Sequence, residues 1–315
     1  MSTNLTFDTP PTSSQDYFSL NGFFPDEAYA ASKDVLANDT TGPVQLSLKY
    51  KAVTTAPNGI IFIGNVEFDG KYTPDLMMAS MPGRPNLFPR DNRFDSPSSD
   101  GSPITALASF GDRVLQFKES ALYIINVASG PEESSGWYVE DSYANCGVFN
   151  PCQVFDTPYG IAFANKYGAY NYDGEKVTNL GSDKFIWGHG GDFGAIFEES
   201  ASNESTGDVP CVGYDPVTQN LIILQNIGDD SASGNSVVYN FPTQSWSRGS
   251  STITNGNGRR HTNMIITSEK WLSIKRDNDR TLQNYNGQPG GSGNMGRQTI
   301  TYRTKEFDFG FPSQT

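Results

Sequence analysis

The reactive side chains of this sequence are 35 aspartates and glutamates, 22 lysines and arginines, two histidines and three cysteines. Acids cluster at Asp229-Asp230 and at Asp277-Asn278-Asp279. A calcium loop needs oxygen ligands at alternate positions and a closing Glu, and neither cluster has that form, so both read as solvated turns. Glycoside hydrolysis needs two carboxylates held across a defined gap, and no pair stands out from so large a stock of acids. His189 lies in Gly188-His-Gly-Gly-Asp192 with no G-x-S-x-G elbow to partner it, which describes a loop. The stretch Gly287-Gln-Pro-Gly-Gly-Ser-Gly-Asn-Met-Gly296 lacks the Lys and Ser/Thr that end a phosphate loop, and reads as a linker-like hairpin tip.

Cys146, Cys152 and Cys211 have no C-x-x-C spacing and no histidine beside them. Free thiols are the expected state, and a small-loop bridge between Cys146 and Cys152 is the alternative. The positive residues form two modest groups, Arg84, Arg90 and Arg93, then Arg259 and Arg260 beside His261. Contacts with acids of a neighbouring subunit are expected of these five arginines, against the plainer reading that they are solvated. No catalytic residue, cofactor or metal is expected anywhere in the chain, which is read as non-enzymatic.

The elements that would carry these residues are strands. Only 18% of the 315 residues are charged, 12% are aromatic, and there are 32 glycines and 19 prolines. Few charges, many turn formers and many aromatics describe an all-β chain with frequent turns. Residues 1–43 read as an N-terminal arm with one candidate helix, Asp26 to Leu36, opened by Pro25-Asp-Glu and favoured by Ala28, Ala30 and Ala31.

From residue 44 to 315 short apolar runs recur at Ile60–Val66, Arg113–Phe117, Gly160–Ala164, Asn220–Gln225 and Lys270–Ile274. Their spacing of roughly 50 residues is that of a propeller blade of short antiparallel strands. Four of the runs are followed by a strand carrying Tyr and then Asn or Asp: Leu122–Asn126, Ala169–Gly174, Val237–Asn240 and Leu282–Gly287. The hairpin that follows the third, Phe241-Pro-Thr-Gln-Ser-Trp246, offers a Trp to wedge against a neighbouring sheet. A β-propeller of about five such repeats is therefore expected, with a β-sandwich as the alternative. Insertions near 68–100, 183–207 and 249–260 would project from it. The Asp box of sialidase-like propellers is not matched by Ser98-Ser-Asp100-Gly-Ser102, which has Ser where Gly is required and no Trp.

Several classes are excluded by composition. No apolar run approaches the roughly 18 residues of a membrane span. The opening MSTNLTFDTP has neither a basic nor an apolar signal region, so no secretory leader is expected. A net charge of −13 without a Lys/Arg cluster argues against conventional nucleic-acid binding.

Several segments together resemble one family. Ile61-Phe-Ile-Gly-Asn-Val66, Asp69-Gly-Lys71, Pro74-Asp75-Leu-Met-Met78, Ser80 and Phe88-Pro89 carry the first part of the likeness. Asp100–Leu107, Leu115-Gln-Phe-Lys118 and Leu122–Asn126 carry the second, and Asn145-Cys-Gly-Val148, Thr157-Pro-Tyr-Gly160 and Lys305–Gly310 extend it. Residues 57–180 are covered closely and 260–311 loosely. These segments resemble the tail-nozzle and packaged-DNA stabilisation proteins of short-tailed bacteriophages. The resemblance implies a propeller-bearing virion subunit of the head–tail connector, made in the host cytoplasm. It also implies a homohexameric ring, with portal, adaptor and tail fibre proteins as partners and no membrane. Its role would be to extend the DNA channel, retain the genome and let it pass at ejection. The family pattern leads one to expect a strand-rich continuation after Phe309-Gly-Phe-Pro312, where this sequence stops.

An acidic subunit suits such a conduit, because like charge keeps DNA off the walls. A largely acidic or neutral lumen follows, with the five arginines turned toward subunit contacts. The alternative function is a carbohydrate-binding or glycoside-hydrolysing propeller acting on host surface glycans, with Trp137, Trp187 and Trp271 as stacking candidates.

Overall fold

In the computed structural model the described residues are 18–20, 48–68, 71–85, 88, 92–95, 101–129, 136–181, 210–224, 236–249, 261–266, 272–276 and 282–285. The candidate helix at Asp26–Leu36, the stretch 183–207 and residues 250–260 lie outside them. The chain divides into two units, Met1–Pro151 and Cys152–Thr315.

The first unit holds two antiparallel meanders. One is formed by β1 (Phe18–Leu20), β2 (Leu48–Thr55), β3 (Ile61–Phe68), β4 (Lys71–Ala79) and β5 (Arg93–Asp95), hydrogen-bonded in that order. The other is formed by β6 (Ile104–Phe110), β7 (Arg113–Lys118), β8 (Ala121–Asn126) and β9 (Tyr138–Ala144). The second unit holds three more meanders: β10 (Val154–Thr157) to β13 (Val177–Asn179) through β11 (Gly160–Asn165) and β12 (Gly168–Tyr172); β14 (Cys211–Asp215), β15 (Asn220–Leu224), β16 (Ser236–Asn240) and β17 (Ser245–Gly249); and β18 (His261–Ile266), β19 (Leu272–Arg276) and β20 (Leu282–Tyr285). A short 3-10 turn, Pro151–Gln153, precedes β10. The described part is thus all-β.

The apolar runs of the sequence fall on interior strands, β3, the third of its sheet, and β7, β11, β15 and β19, each the second. The Tyr-then-Asn strands fall one place further along, at β8, β12, β16 and β20. Burial explains the runs. In β15 Leu221 and Ile223 join one apolar cluster and Ile222 and Leu224 another, all four at most 3% exposed. In β3 Phe62 joins one cluster while Ile63 and Val66 join a second. A strand buried on both faces loses the polar–apolar alternation and reads as continuous apolar sequence.

The seams are specific. Between the two sheets of the first unit, Ala52, Phe62 and Met77 pack with Ile104, Leu107 and Val114, and Trp137 lies 5.7 Å from the Phe62 ring. Strands β2 and β6 are tied by Ser109 Oγ, which donates to Thr55 O at 2.8 Å. In the second unit Ala162, Ala164 and Ala169 of the third sheet meet Val212, Leu221 and Val237 of the fourth. On the fourth sheet's other face Cys211 and Leu224 pack with Met264 of β18. At 25 cal/mol per Å² such burial stabilises by about 1.5–3 kcal/mol for each large side chain.

The sequence treats 68–100 as an insertion, but β4 and β5 both lie within it and belong to the first sheet. Pro74 disguises β4, because a proline donates no ladder hydrogen bond. The sheet accommodates it with a bulge: Gly64 pairs with Met77 and Val66 with Thr73, so Pro74 lies where the register shifts. Asn65, opposite, has φ 58° and donates from Nδ2 to Ile104 O at 3.0 Å.

All three cysteines are buried thiols outside any disulfide, so the Cys146–Cys152 bridge does not form. Cys152 instead joins the cluster that contains Cys211, and its Sγ donates to Pro210 O at 3.6 Å. The Cys211 thiol is pushed well up, first by its hydrogen bond with Cys152 and then by burial.

The turn from β10 to β11 depends on Gly160. Its φ is 120°, and a Cβ there would run into the Tyr172 carbonyl oxygen. Gly160→Ala is expected to lower unfolding free energy by at least about 2 kcal/mol, combining backbone strain with that clash. Urea denaturation followed by intrinsic fluorescence checks it.

Candidate functional site

Tyr159 sits at the tip of the β10–β11 hairpin, 37% exposed, and stacks on Phe241 with centroids 4.3 Å apart and planes at 6°. Phe241 begins the β16–β17 turn. Tyr239, the penultimate residue of β16 and 5% exposed, meets Phe241 edge-on at 5.2 Å and 81°. Tyr214 of β14 approaches the same pair edge-on, 6.4 Å from Tyr159 and 6.0 Å from Phe241. Offset-stacked and edge-to-face contacts of this kind each contribute roughly 0.5–1.5 kcal/mol beyond burial, so the rings hold one another in place.

Beside these rings lies a cavity of about 500 Å³ within the second unit, between the third and fourth sheets. Tyr159, Tyr239 and Phe241 line it, together with Asn171 from β12 and Thr178 and Asn179 from β13. Leu180 and Gln244 complete its wall. Asn171 is 8% exposed and its Nδ2 donates to Tyr159 O at 2.9 Å, while its Oδ1 meets no protein partner.

One bond closes the seam next to the cavity. Trp246 of β17 donates from Nε1 to Leu180 O at 3.1 Å and packs 4.9 Å from Tyr239. This is the wedging Trp expected of the hairpin, reaching from the fourth sheet to the segment after β13.

The turns that present the cavity residues share a local design. Asp215 accepts from Val217 N at 3.0 Å and from Thr218 Oγ1 at 2.6 Å; Asn240 accepts from Thr243 N at 2.9 Å and from Thr243 Oγ1 at 2.7 Å. In both turns the next residue, Gln219 or Gln244, takes positive φ, 57° and 52°. The Asx side chain replaces a backbone acceptor and lets the chain reverse. The shared spacing, Asp215-x-x-Thr218-Gln219 and Asn240-x-x-Thr243-Gln244, was readable in the sequence and marks Gln244.

No lining side chain is ionised at neutral pH. Burial pushes the Tyr239 phenol above its ordinary value of 10.0, and burial, then Tyr159 and Asp215, does the same for Tyr214. Such a surface, aromatic at one side and amide- and hydroxyl-bearing at the other, offers hydrogen-bond donors and acceptors without charge.

Of the site residues singled out in the sequence, those that the structure describes are not brought to this cavity. Arg84 follows β4 and Arg93 begins β5; both are exposed, in the first unit. Arg90, Arg259 and Arg260 lie outside the described residues, as do His189, Trp187 and Trp271. Trp137 is no stacking candidate, since it is 5% exposed and packed on Phe62. Among the described residues no three His, Cys, Asp or Glu side chains gather to hold a metal. No helix among them is long and apolar enough to cross a membrane.

No protein-family description and no curated protein matches the sequence. Among solved structures, the chain is similar to the extracellular domain of the putative one component system BT4673 from B. thetaiotaomicron, at 12% identity and TM-score 0.39 over 74% of this chain. The chain spans only 32% of that protein's length. It is also similar to a chain in a complex of S. cerevisiae Dbp5 bound to Nup159, Gle1, IP6 and ADP, at 10% identity and TM-score 0.31 over 73% of both chains.

Trp246→Phe keeps the ring packing but loses the bond to Leu180 O, and should cost about 1 kcal/mol of stability, read from denaturant midpoints. The raised phenols hold their protons more tightly in the folded state than in the unfolded one. Their contribution is complete below the unfolded value near 10 and is lost as pH rises through the folded values, so stability is expected to fall above pH 10. Ultraviolet titration of tyrosinate alongside circular dichroism checks the order of events.

Proposed function

We propose that this chain is a non-enzymatic structural protein of a tailed-phage virion, a nozzle or connector ring subunit that extends the DNA channel, retains the genome and then passes it. In this reading the successive sheets are blades of a β-propeller, and copies of the chain assemble as a hexamer against portal, adaptor and tail fibre proteins.

The observation that carries the reading is the run of successive antiparallel meanders whose side chains are committed to seams between sheets. The segments that resemble the nozzle proteins fall on those strands: Ile61–Val66 on β3, Pro74–Met78 on β4, Leu115–Lys118 on β7 and Leu122–Asn126 on β8. Their likeness is therefore a likeness of seam-forming strands. Thr157–Gly160 is the β10–β11 turn, which the backbone of Gly160 constrains.

Charge is consistent with the role. At −13 the subunit repels a polyanion, and DNA sliding past it releases few counterions and meets little friction. Arg84 and Arg93, both exposed, are the described cations assigned to contacts between copies.

Negative-stain electron microscopy of the purified full chain, alone and with portal complexes, tests this. Sixfold rings are expected, and Arg84→Glu with Arg93→Glu should reduce the ring fraction at least tenfold. A persistent monomer that hydrolyses capsular or lipopolysaccharide glycans would contradict the proposal.

A further inference from the structure

We infer that the cavity beside Tyr159 is a binding site for an uncharged sugar ring. The inference stands apart from the virion role and rests on the cavity alone.

Four properties of the lining converge. The first is size: about 500 Å³ falls within the range of roughly 300–1,000 Å³ typical of small-molecule sites, and admits one or two pyranose rings. The second is the wall formed by Tyr159 and Phe241, whose parallel stack at 4.3 Å is braced by the edge of Tyr239. A pyranose has an apolar C–H face, and a braced aromatic wall takes that face without first having to be ordered.

The third property is the hydrogen-bonding set. Asn171, Asn179 and Gln244 are amides and Thr178 is a hydroxyl, so the lining has the mixed donor and acceptor character of a sugar hydroxyl, with Asn179 Oδ1 itself accepting from Gly181 N at 2.9 Å. Asn171 is the most telling of them. It is more than nine-tenths buried, its Nδ2 is held by Tyr159 O at 2.9 Å, and its Oδ1 has no protein partner. A buried amide oxygen without a partner has lost its hydration uncompensated, and a ligand hydroxyl donating to it restores the missing hydrogen bond.

The fourth property is neutrality. Among the described residues, none of the acids or bases lines the cavity. A phosphate, a carboxylate or an amine would find no counter-charge there and would lose its hydration on entry. The lining therefore selects a neutral polyol over sugar phosphates, sialic acids and amino sugars in their ionised forms.

Saturation-transfer-difference NMR on the full chain tests the assignment. The probes are glucose, galactose, mannose, N-acetylglucosamine, maltose and lactose, with glucose 6-phosphate, sialic acid and adenosine as comparisons. At least one neutral sugar should show saturation of its C–H face, and affinity should fall at least tenfold in Tyr159→Ala and in Asn171→Ala. Thr178→Val provides a second variant, at an exposed position where removing a hydroxyl leaves the strand intact, and should weaken binding severalfold with an unchanged melting temperature. Three results would overturn the assignment: no neutral sugar bound by the folded chain, binding that all three substitutions leave unchanged, or tighter binding of adenosine or a charged sugar.

Discussion

A four-stranded meander has two faces and too few residues to cover either one itself. Everything else in this molecule follows from that constraint. Interior strands are enclosed on both faces, so their side chains are divided between two apolar clusters: Leu221 and Ile223 to one side of β15, Ile222 and Leu224 to the other. The far strand of a sheet carries polar sequence instead. In β9 Glu140 takes both carboxylate oxygens to Arg113 of β7, and the Arg113 guanidinium holds the Glu140 carboxyl below the usual range. An exposed pair of this kind is worth only a few tenths of a kcal/mol. The enclosed strands stabilise the sheets, and the far strands keep their open edges soluble.

The seam between the third and fourth sheets shows how a cavity arises from the same constraint. The small alanines of β11 and β12 pack in the apolar part of the seam. At the hairpin ends stand the larger Tyr159, Tyr239 and Phe241, and Trp246 ties the fourth sheet to Leu180 O. The space left beside them is lined by rings and amides because those are the residues that the strand ends and Asx-supported turns place there.

Much of the fold was legible because period and burial write directly into sequence. The five apolar runs mark five interior strands, and the Tyr-then-Asn pattern marks the strands beside four of them. What was not legible has identifiable causes. β4 was concealed by Pro74, which the bulge at Asn65 makes tolerable but which no strand pattern anticipates. Cys152 pairs in space with Cys211 and not with nearby Cys146, because sequence distance does not report which seam a residue enters. The cavity draws on Tyr159, Asn171 and Phe241, residues of two sheets that no single motif connects. Trp137, by contrast, looked like a ligand platform and serves the core, since an aromatic side chain reads the same in sequence whether it fills a seam or lines a cavity. The Asx-x-x-Thr-Gln spacing shared by Asp215–Gln219 and Asn240–Gln244 is a signal in the sequence that marks Gln244 of the lining.

Enclosed interior strands hold the sheets together. Hydrogen exchange resolved by residue measures this most directly. The amides of β3, β7, β11 and β15 should exchange last in their sheets, with β9, β13 and β17 faster by at least tenfold. Equal protection across each sheet, or slower exchange in the far strands, would contradict it.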